Sequence, residues 1–203
     1  MAETRRVYIV DDDEAVRDSL SILVSAAGYR VEVFASAKAF LEANGSAHEG
    51  CLLADIRMPD MDGLELQDEL LRRKTGLPVV IMTGHADVPL AVRAMKAGAV
   101  DFLEKPFTRA QLLQSLERAA KSAGTLSHTS PECEDARAKI ATLTPREREV
   151  FDLLVAGDQT KVIAGKLANS PRTVQVQRGK VMHKLGVTTI QDLVRLALAA
   201  KDG

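Results

Sequence analysis

No apolar run in the chain reaches the roughly 18 residues that a membrane-spanning helix requires, so no span is expected. The opening residues, MAETRRVYIV, lack the apolar stretch and small-residue cleavage site of a secretory signal, and a cytoplasmic location is expected. Cysteine is scarce. Cys51 falls in a strand-like run and Cys133 in a linker-like one, which excludes a disulfide framework and reads as reduced thiols. The most local absence is that of acid: from Gln159 to Gln191 there are six Lys or Arg residues and not one Asp or Glu. Internal repeats and low-complexity tracts are also missing.

What is present is ordinary in amount and uneven in placement. Apolar residues make up 46% and charged residues 27%, as in a soluble globular protein long enough for two small domains. The net charge of −1 is split between a net of −4 over residues 1–123 and +3 over residues 124–203. An acidic first part suits a cation site and a basic second part suits a polyanion.

The first 120 or so residues alternate between short apolar runs and amphipathic stretches. The runs are Val7–Val10, Val31–Phe34, Leu52–Ala54, Val79–Met82 and Asp101–Leu103. Between them lie helical patterns such as Ala15–Ala27, Leu64–Lys74 and Pro89–Ala97, with a last helix over about Thr108–Ala123. Strands alternating with helices predict βαβ units: a flavodoxin-like α/β fold with a five-stranded parallel sheet. Residues 124–139 read as a linker, opening with the Gly/Ser/Thr/Pro-rich GTLSHTSP, after which a short charged helix is expected over Glu132–Ala141. From residue 140 to 203 the pattern is helical, a small all-α domain. Thr144-Pro145-Arg146-Glu147 predicts a capped helix start, and helices are expected over about Pro145–Ala156, Lys161–Ala168, Pro171–Leu185 and Thr189–Ala200.

The polar residues fall where the predicted strands end. Asp11, Asp12 and Asp13 follow the first strand, Asp55 ends the third, Thr83 follows the fourth run and Lys105 follows the fifth. In a parallel sheet these positions share one edge, where ligands bind. Each taken alone is an ordinary turn, cap or surface residue. Their coincidence on one edge is not. Gathered carboxylates repel one another unless a cation neutralises them, and an all-oxygen donor set favours a hard ion such as Mg²⁺. A lysine and a hydroxyl at the same edge can hold phosphoryl oxygens. Asp13, Asp60 and Asp62 read as caps and turn residues.

The segments VDDD, LADIRMPDMDG, MTGHAD and DFLEKPF resemble the motifs of bacterial receiver domains, in order and spacing, over residues 1–123. The resemblance implies that Asp55 is the phosphoacceptor, taking a phosphoryl group from a sensor histidine kinase. It implies Mg²⁺ ligation by Asp12, Asp55 and the backbone carbonyl of Arg57, with Asp11 acting through water. It further implies that Lys105 pairs with the phosphoryl group, that Thr83 and Phe102 form the switch, and that Lys105-Pro106 is cis.

The helices Lys161–Ala168 and Pro171–Leu185 are separated by Asn169-Ser170 alone, so they must cross steeply, as in a helix-turn-helix. In the second, Val174, Val181 and Leu185 share the inward face. Arg172, Thr173, Gln175, Val176, Gly179, Lys180 and His183 lie opposite, flanked by Arg178 and Lys184. Long polar side chains around a glycine suit a major groove. The region from about 140 to 200 resembles the LuxR-type DNA-binding domain, and its union with a receiver resembles the FixJ type of that group. Gln177 stands where a histidine is common in the family, and Asn169 where an apolar residue is. Gln175 and Val176 are expected at base edges. Arg172, Arg178, Lys180, Lys184 and Lys161 are expected at phosphates, and Thr173 lies on the same face.

The resemblance implies a two-component response regulator, not an enzyme, that dimerises on phosphorylation, binds promoter DNA and acts with RNA polymerase. Val92 and Lys96 are the candidates for the dimer surface. Two other readings stay open at this point. One is a Mg²⁺-dependent hydrolase with an aspartyl nucleophile, against which Arg57 counts, since such enzymes place a second carboxylate two residues after the first. The other is a protein-binding adaptor whose helical domain does not hold DNA.

Overall fold

The computed structural model describes residues 6–44, 49–84, 88–122 and 131–200. The first part of the expected linker, residues 124–130, and the HAD of the fourth-strand motif lie outside the described residues. The chain divides into two compact units, residues 1–85 with 97–126, and residues 86–96 with 127–203.

In the first unit the elements run β1 (Arg6–Val10), α1 (Glu14–Ser25), β2 (Arg30–Phe34), α2 (Ala37–Asn44), β3 (Cys51–Asp55), α3 (Gly63–Arg72), β4 (Val79–Thr83), β5 (Asp101–Glu104) and α5 (Arg109–Ser122). All strand pairs are parallel, and the order is β2-β1-β3-β4-β5. The order reverses between β1 and β3, so the two acidic strand ends lie side by side at the point where loops diverge and a crevice opens. β3 and β4 are buried along their whole length, which is why they read as unbroken apolar runs. Edge strand β2 is only partly covered.

Side-chain alternation sorts the core into two layers. Val7, Ile9, Leu53, Val80, Met82 and Leu103 face Leu20 and Val24 of α1 and Leu112, Leu116 and Ala119 of α5. On the other face of β1, Tyr8 meets Phe40 edge-on at 5.4 Å between ring centroids. The Lys105-Pro106 bond is cis.

The second unit holds α4 (Val88–Lys96), α6 (Pro131–Ala141), α7 (Pro145–Ala156), α8 (Thr160–Lys166), α9 (Pro171–Leu185) and α10 (Ile190–Ala199). α6 packs against α10, so the helix expected within the linker is part of this unit's core through Ala136 and Ile140. α7 begins with the capping box read from Thr144 and Glu147. Both α7 and α9 stop at a left-handed glycine, Gly157 and Gly186, the conformation that frees the last carbonyls to be capped. α8 is shorter than its apolar pattern predicts. It ends at Lys166, because Ala168 takes a left-handed φ of 50° and turns the chain toward α9.

Candidate functional site

Of the residues predicted to share the carboxyl edge of the sheet, Asp11, Asp55 and Lys105 meet there. Asp11 directly follows β1 and Asp55 closes β3; both are nearly sealed from solvent, at 1% and 6% exposure. Lys105, one residue beyond β5, places its Nζ 2.6 Å from Asp11 Oδ2 and 2.6 Å from Asp55 Oδ1. Its own backbone N–H donates to the Thr83 carbonyl at 2.7 Å, which extends the β4–β5 ladder and fixes where the side chain starts. Asp55 Oδ2 accepts from the Arg57 N–H at 2.6 Å, leaving the Arg57 side chain exposed. Asp12 is exposed beside the pocket.

The approach of α3 depends on Gly63. A methyl group there would lie 2.3 Å from the Asp55 carbonyl oxygen and 3.1 Å from Ile56 Cα, both backbone atoms that cannot easily yield. Asp62 caps α3 in a reciprocal pair with Glu65, as its turn position predicted, and Asp13 caps α1 through the Ala15 and Val16 N–H groups. Asp60 takes the left-handed turn conformation with φ 70°.

Burial pushes the Asp55 carboxyl above its ordinary pKa. Asp11 adds to that, while the Lys105 ammonium and the Arg57 N–H act against it. Burial pulls Lys105 down, but the hydrogen bonds and charges of Asp11 and Asp55 outweigh it, and the ammonium is held above the usual lysine range. The pocket therefore holds one firmly retained cation against two crowded carboxylates, a polarity that accommodates further positive charge on the carboxylate side. Among the described residues no three His, Cys, Asp or Glu side chains converge at metal-ligating spacing. A divalent ion here would draw on two carboxylates, main-chain carbonyl oxygen and water, which fits Mg²⁺ because that ion keeps several of its waters.

Thr83 is fully buried at the end of β4. Strand register pairs Thr83 with Glu104 and Ile81 with Phe102, so Phe102 shares a sheet face with Thr83, two residues back. The Phe102 ring is already out of solvent, at 3% exposure. Sequence reading missed the polar cluster behind the Phe102 backbone, on the α5 face of the sheet. The buried Asp101 carboxylate accepts from the Phe102 N–H, from Ser115 at 2.6 Å and from Arg118 at 2.8 Å, tying β5 to α5. Of the two residues assigned to a dimer surface, Lys96 is exposed and Val92 is buried, at 2% exposure.

In the second unit, Val174, Val181 and Leu185 are buried as their spacing required. Ser170 caps α9 by accepting from the Thr173 N–H, and its Oγ lies 2.8 Å from Thr173 Oγ1, so Thr173 belongs to the cap. Val176 projects at 55% exposure and Gly179 faces open space. Gln175 lies on the same exposed face. Lys161, Arg172, Arg178 and Lys180 pair with no carboxylate among the described residues, which leaves their charge to solvent or a ligand. Lys184 differs. It meets Glu147 at 2.8 Å and ties the end of α9 to the start of α7. Lys184, the Thr144 N–H and the Thr144 hydroxyl together hold the Glu147 carboxyl down at about 2. The two departures from the family pattern leave buried atoms unpaired: Asn169 Nδ2 and Gln177 Oε1.

Residues 7–117 match the model of the response regulator receiver domain, and residues 141–197 match that of the luxR family of bacterial regulatory proteins. The chain is 44% identical over 200 residues to the transcriptional regulatory protein FixJ of Bradyrhizobium diazoefficiens, covering 98% of each chain. It is 41% identical over 196 residues to the response regulator protein TmoT of Ectopseudomonas mendocina, covering 97% of this chain and 89% of that one. Among solved structures it is similar to full-length FixJ from B. japonicum, with a TM-score of 0.58, 44% identity and full coverage of both chains. It is also similar to the chemotaxis protein CheY4 of Vibrio cholerae, with a TM-score of 0.54 and 27% identity over 58% of this chain and 99% of that one.

Proposed function

The chain belongs to the FixJ-type response regulators, transcription regulators that join a receiver to a LuxR-family DNA-binding domain, and from that premise we propose that phosphorylation of Asp55 by a sensor histidine kinase controls promoter binding by α9. One observation carries the reading: a single ammonium, that of Lys105, bridges the buried carboxylates of Asp11 and Asp55 at 2.6 Å to each.

The nucleophile is the Asp55 carboxylate, which needs no general base because it already carries the charge that attacks phosphorus. Positioning and charge neutralisation supply the rest. Lys105 faces the position where the phosphoryl oxygens would gather, and Thr83 stands one residue along β4 from the partner of Asp55. Asp12, Asp55 and the Arg57 carbonyl would hold Mg²⁺, with Asp11 through water; when bound, Mg²⁺ would neutralise charge on the acceptor and on the incoming phosphoryl group. Asp11 and Lys105 keep Asp55 in place while the bond to the donor histidine breaks. With Arg57 exposed two residues after the nucleophile, the pocket offers no second carboxylate there to drive turnover.

The added charge would shift Thr83 toward the phosphoryl group and move Phe102, biasing a two-state receiver. The active state forms a homodimer, which matches two half-sites by its own two-fold symmetry. Lys96, exposed on α4, would contribute to such a surface, whereas the burial of Val92 speaks against a contact there. On DNA, Gln175 and Val176 read base edges, a thymine methyl suiting Val176, while Lys161, Arg172, Arg178 and Lys180 meet phosphates. Thr173 supports the start of α9, and Lys184 reaches phosphate only by leaving Glu147. The outcome is control of transcription through RNA polymerase, most simply activation. Among the described residues no helix is long and apolar enough to cross a membrane, in keeping with a cytoplasmic regulator.

Sedimentation and DNA retention with and without acetyl phosphate and Mg²⁺ test this reading. The expected result is a phosphate-dependent dimer with tightened binding to an inverted-repeat promoter, both abolished by Asp55→Asn. A wild-type chain that remains unmodified at Asp55, or a monomer that binds DNA equally well in both states, overturns it.

A further inference from the structure

The loop that carries Asp11 and Asp12 has a second, unassigned basic partner. Arg17, one turn into α1, donates from Nη1 to the Asp11 carbonyl at 2.8 Å and to the Asp12 carbonyl at 2.9 Å. One nitrogen with two hydrogens thus holds two successive carbonyls, and successive carbonyls reach one point only if the chain curls. The curl turns the carbonyls back toward α1 while Asp11 Oδ2 reaches Lys105 on the pocket side. The start of α1 does not depend on this contact, because Asp13 already caps it. Nor does the core, because the Arg17 side chain lies at the surface, half-buried. What the contact acts on is the path of the loop, which the Asp13 N–H, donating to Asp11 Oδ1 at 3.0 Å, and the Asp11 N–H, donating to the Phe34 carbonyl at 3.2 Å, also hold on the Asp11 side.

We propose that Arg17 is a positioning residue for the cation site. By clamping the carbonyls of Asp11 and Asp12, it fixes the direction of their carboxylates and so sets the affinity of the pocket for a divalent ion, without taking part in phosphoryl transfer. This rests on reading the pocket as a receiver site. Two effects of Arg17 oppose each other. Its charge repels an incoming cation, but from the far side of the backbone and partly in solvent, where charge interactions are screened. The clamp removes the conformational freedom of a loop that the ion would otherwise have to order. Ordering one residue corresponds to roughly tenfold in affinity. The clamp is the larger effect. Guanidinium stays charged at every working pH and presents its donors in a rigid fork, which the point charge of an ammonium on a flexible stem does not reproduce.

The test uses the full chain as wild type, Arg17→Gln and Arg17→Lys. Mn²⁺ binding is read from the paramagnetic resonance of the free ion and Mg²⁺ binding from calorimetry, with phosphorylation by acetyl phosphate followed across Mg²⁺ concentrations. The expected result is a half-saturating cation concentration raised about tenfold in Arg17→Gln and less in Arg17→Lys, a phosphorylation rate that recovers at saturating Mg²⁺, and an unchanged cation-free melting temperature. Unchanged affinity in both variants overturns the clamp. So does tighter binding in Arg17→Gln, which would make repulsion the larger effect, or a rate that stays low at saturating Mg²⁺. If Arg17→Gln melts early, Arg17→Lys decides by the same criteria. A wild-type chain that binds neither ion overturns the pocket reading itself, and the clamp with it.

Discussion

Individual residues at the carboxyl edge of the sheet owe their chemistry to how closely the backbone is packed around them. Gly63 is the sharpest case, since any side chain there meets the main chain of Asp55 and Ile56. Gly63→Ala is expected to lower stability by about 1–3 kcal/mol, the usual range for forcing a methyl group into filled space. It should also slow phosphorylation, because the atoms that must shift belong to Asp55. Denaturant midpoints and acetyl phosphate kinetics check both; an unchanged midpoint would mean that α3 moves aside freely. At this scale the sequence was informative where motifs fix spacing. Asp11, Asp55 and Lys105 could be placed together before any geometry was known, since strand ends of a parallel sheet share an edge. Arg17 could not, because an arginine one turn into an amphipathic helix is indistinguishable from a solvated charge until the carbonyls it holds are located. Burial holds the Cys51 thiol protonated, its pKa pushed up to about 12, in keeping with the reduced thiol that the scarcity of cysteine implies.

Among the elements, α7 and α9 are joined at their ends by Glu147 and Lys184. Glu147 serves a helix start and an ion pair at once, so its carboxyl is depressed from 4.5 to about 2. A carboxylate depressed in the folded state stabilises it at pH values above the ordinary pKa, and that contribution fades as the pH falls toward the depressed value. The melting temperature of the wild type should therefore exceed that of Glu147→Gln at neutral pH, with the gap narrowing between about pH 4.5 and about 2. Circular dichroism melts across that range decide it, and a gap independent of pH would show that the capping bonds alone matter. The helix starts were legible because Thr144, Ser170 and Thr189 cap through local hydrogen bonds, and local chemistry can be read from neighbours in sequence. The end of α8 was not. Its apolar pattern runs on to Ala168, but the turn into α9 claims that residue for a left-handed conformation, which the pattern does not encode. The Lys184 pairing escaped for a related reason: its partner lies 37 residues away in another helix.

For the molecule as a whole, the uneven charge seen in the sequence takes the form of an acidic pocket in one unit and an acid-free basic run over α8 and α9 in the other. Lys161, Arg172, Arg178 and Lys180 leave their charge unpaired by any described carboxylate, so each phosphate they neutralise should release counterions. A double change, Arg178→Ala with Lys180→Ala, is expected to reduce the slope of log affinity against log salt by about 2 and to weaken all sequences alike. DNA retention across salt concentrations measures it, and an unaltered slope would assign both residues to other work. The fold class was legible at this scale because period and alternation are global signals. The cluster of Asp101, Ser115 and Arg118 beside the Phe102 backbone was not, because an ion pair between a strand and a helix leaves no periodic trace. The strand order β2-β1-β3-β4-β5 carries one more consequence. The ammonium that serves Asp55 arrives from the last strand, 50 residues later in the chain. On the proposed function, a nascent chain that has not yet emerged past β5 would hold the Asp55 carboxylate without its counter-charge, so reception of a signal would wait on completion of the sheet.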